Sequence, residues 1–451
     1  MNVTCRVRAP RLPSSCVLQR GTNPGRDHDV NLAPSCVTRR GRVLTFALTA
    51  AVAVTCAPTA YAQARLQSYP TRYYVIRTDL DLDAVREATV RITAMAEEYH
   101  ARTRGFAGSV TDRLEFYIFR HPADYYANGG PQGSAGVFVG DRLLAIGGDR
   151  VSPETWHIVQ HEGFHQFAHH VIGGDIPTWV DEGLAEYFGE SLFTGDGYVS
   201  GVISQNRLQR VRYLIQNKQF KTIAQLMTID RITWNQQLSG ANYDQAWSMV
   251  QFLAHGEGGR YQKAFSGFIS DVAKWSRWQD AWKKHFGADA GAFESAWRDY
   301  WTSVPDNPTA DLYVEAVVRT LTGYLGRAAA RKQTFETAEA FFDAARGGRL
   351  ERHAEDWLPA DLLTDALGPA PQLGRWLIED ASATRGKLVL TLPGDRRVVG
   401  VYTVRNGRIG DVTIEDASKP GASAPQRTAR PGTQPIERGR PRPTKPPVKR
   451  P

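Results

Sequence analysis

The pentad His161-Glu162-Gly163-Phe164-His165 constrains this chain more than any other feature. On a helix, residues four apart lie about 40° apart around the axis, so both imidazoles point to one place. The flanking residues supply the helix. Ser152 reads as an N-cap, Pro153 as the first helical residue and Glu154 as an acid of the first turn, while Gly173 and Gly174 end the run. Trp156, Phe164, Phe167 and Val171 form an apolar stripe of their own, so the core does not need the histidines. Glu162 sits beside the histidine face, placed to take a proton from water rather than to bind an ion.

A second helix is expected from Thr178 to Phe188, with Thr178 and Asp181 as a capping box. Glu182 follows His165 after 16 intervening residues, enough to end one helix and begin another. Two histidines and one glutamate leave a fourth position open on zinc, the catalytic arrangement, and one Zn2+ per chain is expected with His161, His165 and Glu182 as ligands. Glu186, one turn beyond Glu182, is expected to accept the second N–H of a ligand histidine. His157 and His169 read as cleft-wall or capping residues, His170 as solvated and Asp181 as a cap.

The pattern His161-Glu162-x-x-His165, then Pro177-x-Trp179-x-x-Glu182-Gly183-x-Ala185-x-Tyr187, resembles the gluzincin metallopeptidases. It is most similar to secreted bacterial proteins of the peptidase MA-like group. The resemblance covers roughly residues 70–300. It includes Gly133-x-x-Gly136-x-Phe138 before the metal helix and Tyr243-x-x-Ala246-x-Ser248 after it. It implies Glu182 as third ligand, Glu162 as general base and a peptide or protein substrate paired to the hairpin strand at the cleft edge. Such enzymes often stabilise an oxyanion with a Tyr or His from the following helices, and Tyr243 matches that position best. The Gly-x-Met-x-Asn signature of the aminopeptidase branch is missing, which leans toward endopeptidase action. Two other readings stand beside this one: a non-catalytic envelope scaffold that keeps the fold, and a zinc amidase acting on cell-wall material. A binding protein has no use for Glu162.

The charge is distributed unevenly. Residues 1–62 hold eight arginines and two aspartates, or +6; residues 419–451 hold nine basic residues and one glutamate, or +8. Against a whole-chain charge of +8, residues 63–418 carry −6. An acidic body argues against nucleic-acid binding. The basic tail, with nine prolines, is expected to be disordered; it either makes weak contact with an anionic envelope surface or is simply solvated. All four cysteines lie within the first 56 residues.

Arg39, Arg40 and Arg42, the apolar run 43–57 and Ala60-Tyr61-Ala62 read as a signal peptide cleaved after Ala62. Export to the periplasm or medium follows, and a mature chain without thiols then excludes cysteine chemistry. The 36 residues ahead of the signal suggest that translation begins near Val37. A twin-arginine or lipoprotein signal fits the residues less well.

The fold is expected to be α+β. The divisions are a leader (1–62), a metal-binding α/β subdomain with a small mixed sheet (63–202), a helical subdomain (203–307), a small α+β domain (308–418) and the tail (419–451). Strands are expected at 70–78, 114–119, 135–139 and 143–146, with a helix over 82–104. The tryptophans between 234 and 301, at helical spacing, are expected to pack the core.

Overall fold

The structure is a computed structural model, and residues 65–416 are described. The expected signal peptide and cleavage site, the cysteines and the Pro-rich tail lie outside the described residues. No helix among the described residues is long and apolar enough to cross a membrane.

The fold is mixed α+β. Its first layer is a five-stranded sheet of β1 (Gln67–Pro70), β2 (Tyr74–Thr78), β3 (Leu114–Phe119), β4 (Gly136–Val139) and β5 (Arg142–Ile146), in the order β1-β2-β3-β5-β4. Strands β2, β3 and β5 run parallel, while β1 and β4 are antiparallel edges. The single strand expected over 70–78 is therefore two. Pro70 has no N–H to continue a ladder, and the Thr71 N–H donates to the Tyr74 carbonyl at 2.7 Å, closing a turn. Gly140 (φ 64°) turns the β4–β5 hairpin, placing β4 on the open edge.

Helix α1 (Leu82–Thr103) crosses from β2 to β3, capped by Asp81. Its buried Val85, Ile92, Met95 and Tyr99 face the sheet and the next helices. The short α2 (Pro122–Ala127), which the sequence reading lacked, follows β3. Helix α3 (Pro153–Val171) carries the histidines, with the Ser152 hydroxyl accepting from the Thr155 N–H at 3.1 Å. Helix α4 (Thr178–Gly189) carries Glu182. On the side away from the histidines, Tyr99, Phe164 and Phe188 meet with ring centroids 4.8–5.5 Å apart. Such pairs add about 0.5–1.5 kcal/mol each beyond burial and lock α1, α3 and α4 together.

A hairpin of β6 (Leu192–Phe193) and β7 (Tyr198–Val199) leads to α5 (Gln205–Gln216), α6 (Ile223–Met227), α7 (Arg231–Gln237), α8 (Gly240–His255), α9 (Gln262–Ala273), α10 (Trp278–Phe286) and α11 (Ala290–Ser303). Trp234, Trp247, Trp282, Trp297 and Trp301 are buried. Ser248 on α8 satisfies two of them: Trp297 Nε1 donates to its hydroxyl at 3.0 Å and Trp301 Nε1 to its carbonyl at 3.2 Å. Trp275 departs from the expected core role, being 78% exposed.

The last layer has α12 (Ala310–Ala330), α13 (Ala338–Arg346), α14 (Ala360–Leu367) and α15 (Ala370–Leu373), then the meander β8 (Arg375–Glu379), β9 (Arg385–Thr391), β10 (Arg397–Arg405) and β11 (Arg408–Asp416). Asn406 (φ 54°) and Gly407 (φ 70°) form the left-handed turn of the last hairpin. Two large apolar clusters result. One runs from Tyr69 to Trp301, the other from Val314 to Val404. Among the links between them, Arg327 of α12 forms a bidentate pair with Asp196, at the tip of the β6–β7 hairpin, with both N···O distances 3.0 Å.

Candidate metal centre

Helix periodicity brings His161 and His165 onto one face of α3, and α4 lays Glu182 across it. Nε2 of His161 and Nε2 of His165 stand 3.1 Å apart, and Oε2 of Glu182 lies 3.5 Å from each. A tetrahedral ion with bonds of about 2.0–2.2 Å holds its ligands roughly 3.3–3.5 Å apart. The three donor atoms thus form one face of such a tetrahedron. Glu182 is 4% exposed, while both histidines are half-buried.

Each donor has a partner behind it. His161 Nδ1 lies 3.4 Å from Oε1 of Glu186, and His165 Nδ1 lies 3.0 Å from Oδ1 of Asp181. These are the carboxylates that fix the tautomer and direction of a ligand imidazole. Glu186 stands where the sequence reading put it. Asp181 does not cap α4. The N-cap residue is Pro177, which has no side-chain hydrogen bond to offer, and Asp181 turns instead to His165 and Arg231.

The electrostatics follow from this crowding. Burial opposes charge on both histidines, yet the facing carboxylates overcome it and raise both pKa values. Burial likewise works against the Glu182 carboxylate, but hydrogen bonds from His161 and His165 outweigh it and hold its pKa far below the ordinary value. The Glu186 pKa falls to about 2, as Arg207 overcomes the burial penalty. Arg207 itself is buried among Glu186, Glu190 and Asp244, with Nη2 2.5 Å from Oε2 of Glu186. One guanidinium thus faces three carboxylates, and of these Glu186 also reaches His161.

Glu162 is not drawn into this network. Its Oε2 accepts the Phe138 N–H of β4 at 2.9 Å, tying the carboxylate to the edge strand. Tyr243, on the first turn of α8, places its ring 6.4 Å from that of His161 and edge-on to buried Trp234. Burial, then the charge of Glu182, raises its pKa, so the phenol keeps its proton through neutral and alkaline pH. His157 is half-buried over Gly189 near Glu186, and His169 lies exposed beside the Phe138 ring. His170 is exposed.

The sequence reading missed Arg231. Its Nη1 donates to Oε1 of Glu182 at 2.6 Å, and its Nη2 pairs with Asp181. A cation in the first turn of α7 sits against the helix dipole, which was the one local sign that Arg231 serves a distant carboxylate.

Residues 156–277 match the family model described as a protein of unknown function (DUF1570). The matched span holds every residue of this centre, from His161 through Arg231 to Tyr243. No curated protein matches the chain.

Proposed function

We propose that this chain is an exported zinc-dependent metallopeptidase of the gluzincin kind, cleaving peptide or protein substrates. The observation that carries this reading is the donor triangle of His161, His165 and Glu182, whose edges of 3.1, 3.5 and 3.5 Å suit a tetrahedral ion. Two histidines and a carboxylate also serve iron(II). The neighbouring carboxylate of Glu162 favours hydrolysis, and hence zinc. The chemistry zinc supplies when held by these three residues is Lewis acidity, which polarises a carbonyl and acidifies water.

The rest belongs to the chain. Glu162 takes up a proton at Oε1, since Oε2 is held by the Phe138 amide, and returns it to the leaving amine. Tyr243, kept protonated, donates to the charge that develops on the carbonyl oxygen. Strand β4, at the sheet edge beside Glu162, offers an extended peptide the part of its edge that Glu162 does not hold through the Phe138 N–H. A strand pairing there passes in front of the base and the metal ligands.

Elemental analysis of the purified full chain tests the metal. About one zinc per chain is expected, and almost none in His161→Ala. Glu162→Gln should keep the zinc and lose at least about 100-fold in turnover. A well-folded wild type without zinc, or an active Glu162→Gln enzyme, would refute the proposal.

A further inference from the structure

Of the eleven tryptophans, Trp275 alone is exposed, at 78%. It stands at the end of α9 in a tight reversal. Its N–H donates to the Val272 carbonyl at 2.9 Å, and the Ser276 N–H donates to the Asp271 carbonyl at 3.1 Å. This is the pair of bonds that closes a helix through a left-handed residue, a position glycine fills at least cost. Trp275 adopts φ 66° there. An indole is thus held in a backbone region that disfavours it, and it belongs to none of the apolar clusters. Folding alone would be better served by glycine.

What surrounds the indole points to its use. Trp275 lines a groove of about 540 Å³ between the α3–α4 loop and the α9–α10 loop. Gly174 brings the two loops together: a Cβ there would lie 2.2 Å from the Val272 carbonyl oxygen. Trp278, half-buried and packed on the main core, gives a second aromatic wall. The other walls are polar and planar, from Asp175, Arg277 and Gln279. An aromatic face ringed by such groups suits a pyranose, which offers C–H bonds to the ring and equatorial hydroxyls to the carboxylate, guanidinium and amide. It does not suit a wholly apolar ligand, which would strand those groups without partners.

We propose that this groove binds a β-1,4-linked pyranose oligosaccharide, with Trp275 as the stacking platform. The inference does not depend on the metal centre. Calorimetric titration of the purified full chain with the N-acetylglucosamine hexamer and with cellohexaose tests it. Saturable binding of at least one is expected, unchanged in Glu162→Gln. Trp275→Gly should weaken binding at least tenfold while Tm stays level or rises by about 1–3 °C, because glycine suits the left-handed position. Arg277→Ala should weaken binding without loss of fold. Failure of both sugars to bind wild type would overturn the proposal, as would equal binding by Trp275→Gly. A Tm lowered by more than about 5 °C in Trp275→Gly would make the indole a structural residue instead and overturn it as well.

Discussion

Glu182 presents a single oxygen to the histidines because its other oxygen is already engaged by Arg231. That guanidinium is 45% exposed on its side chain, so its worth lies in aiming Glu182 and Asp181 rather than in stability. Groups behind metal ligands typically change affinity 10–100-fold when removed. Arg231→Ala should therefore raise the zinc Kd by about 10–100-fold in a chelator competition, with Arg231→Lys intermediate because a point charge cannot span two carboxylates. A second residue contributes to the pH dependence of folding. His255 is stacked on Tyr187, with its Nε2 hydrogen-bonded to the Tyr187 hydroxyl at 2.9 Å. Burial, then the charge of Arg102, lowers its pKa to about 4. An unfolded histidine titrates near 6.5, so between those values the unfolded chain binds a proton that the native state refuses. The contribution of His255 is complete above about pH 6.5 and is lost as pH falls toward 4, on the order of 3 kcal/mol. Urea unfolding at pH 7 and pH 4.5 should show this loss, and His255→Gln should remove it. At this scale the sequence was legible where chemistry repeats along a helix: His161, His165, Glu182 and Glu186 meet as their spacing implies. Arg231 was not legible, since its partner lies 49 positions away and no periodicity joins them.

Among the elements, α4 bears the tightest constraint. It must approach both α3, to deliver Glu182, and α8, to bring Tyr243 near. Gly183 makes the second approach possible: a Cβ there would stand 2.6 Å from the Ala246 carbonyl oxygen and 2.7 Å from Val250. Gly183→Ala should push the helices apart and destabilise by about 1–3 kcal/mol, read as a lower urea midpoint. Because Glu182 is the adjacent residue, zinc content should fall with it. The ends of α3 were readable from Ser152, Pro153 and the glycine pair, since caps are local chemistry. The start of α4 at Thr178 was readable too, but its cap was not. Thr178 and Asp181 have the capping-box spacing, but Asp181 finds a histidine and an arginine across space, and those partners outcompete a local cap. The β6–β7 hairpin escaped notice for a simpler reason, as strands of two residues carry no alternation to read.

At the scale of the molecule, the buried pair of Arg327 and Asp196 ties the C-terminal layer to the β6–β7 hairpin. Both side chains are 4% exposed. Removing one partner of a buried pair strands the other charge and costs about 3–5 kcal/mol. Arg327→Met should lower the unfolding free energy read from a urea titration by that amount, and Asp196→Asn/Arg327→Met together should recover much of it. The C-terminal layer was expected as a small α+β domain over 308–418, but its attachment to the β6–β7 hairpin rests on side chains 131 positions apart. That interval also has a meaning in time. A ribosome adds about 5–20 residues per second, so Asp196 waits roughly 7–26 s for Arg327 to be made. The histidine helix is finished well before the segment that secures the hairpin beside it. Synthesis itself thus acts as a timer, and the nascent chain holds all three candidate ligands some seconds before it holds a settled fold.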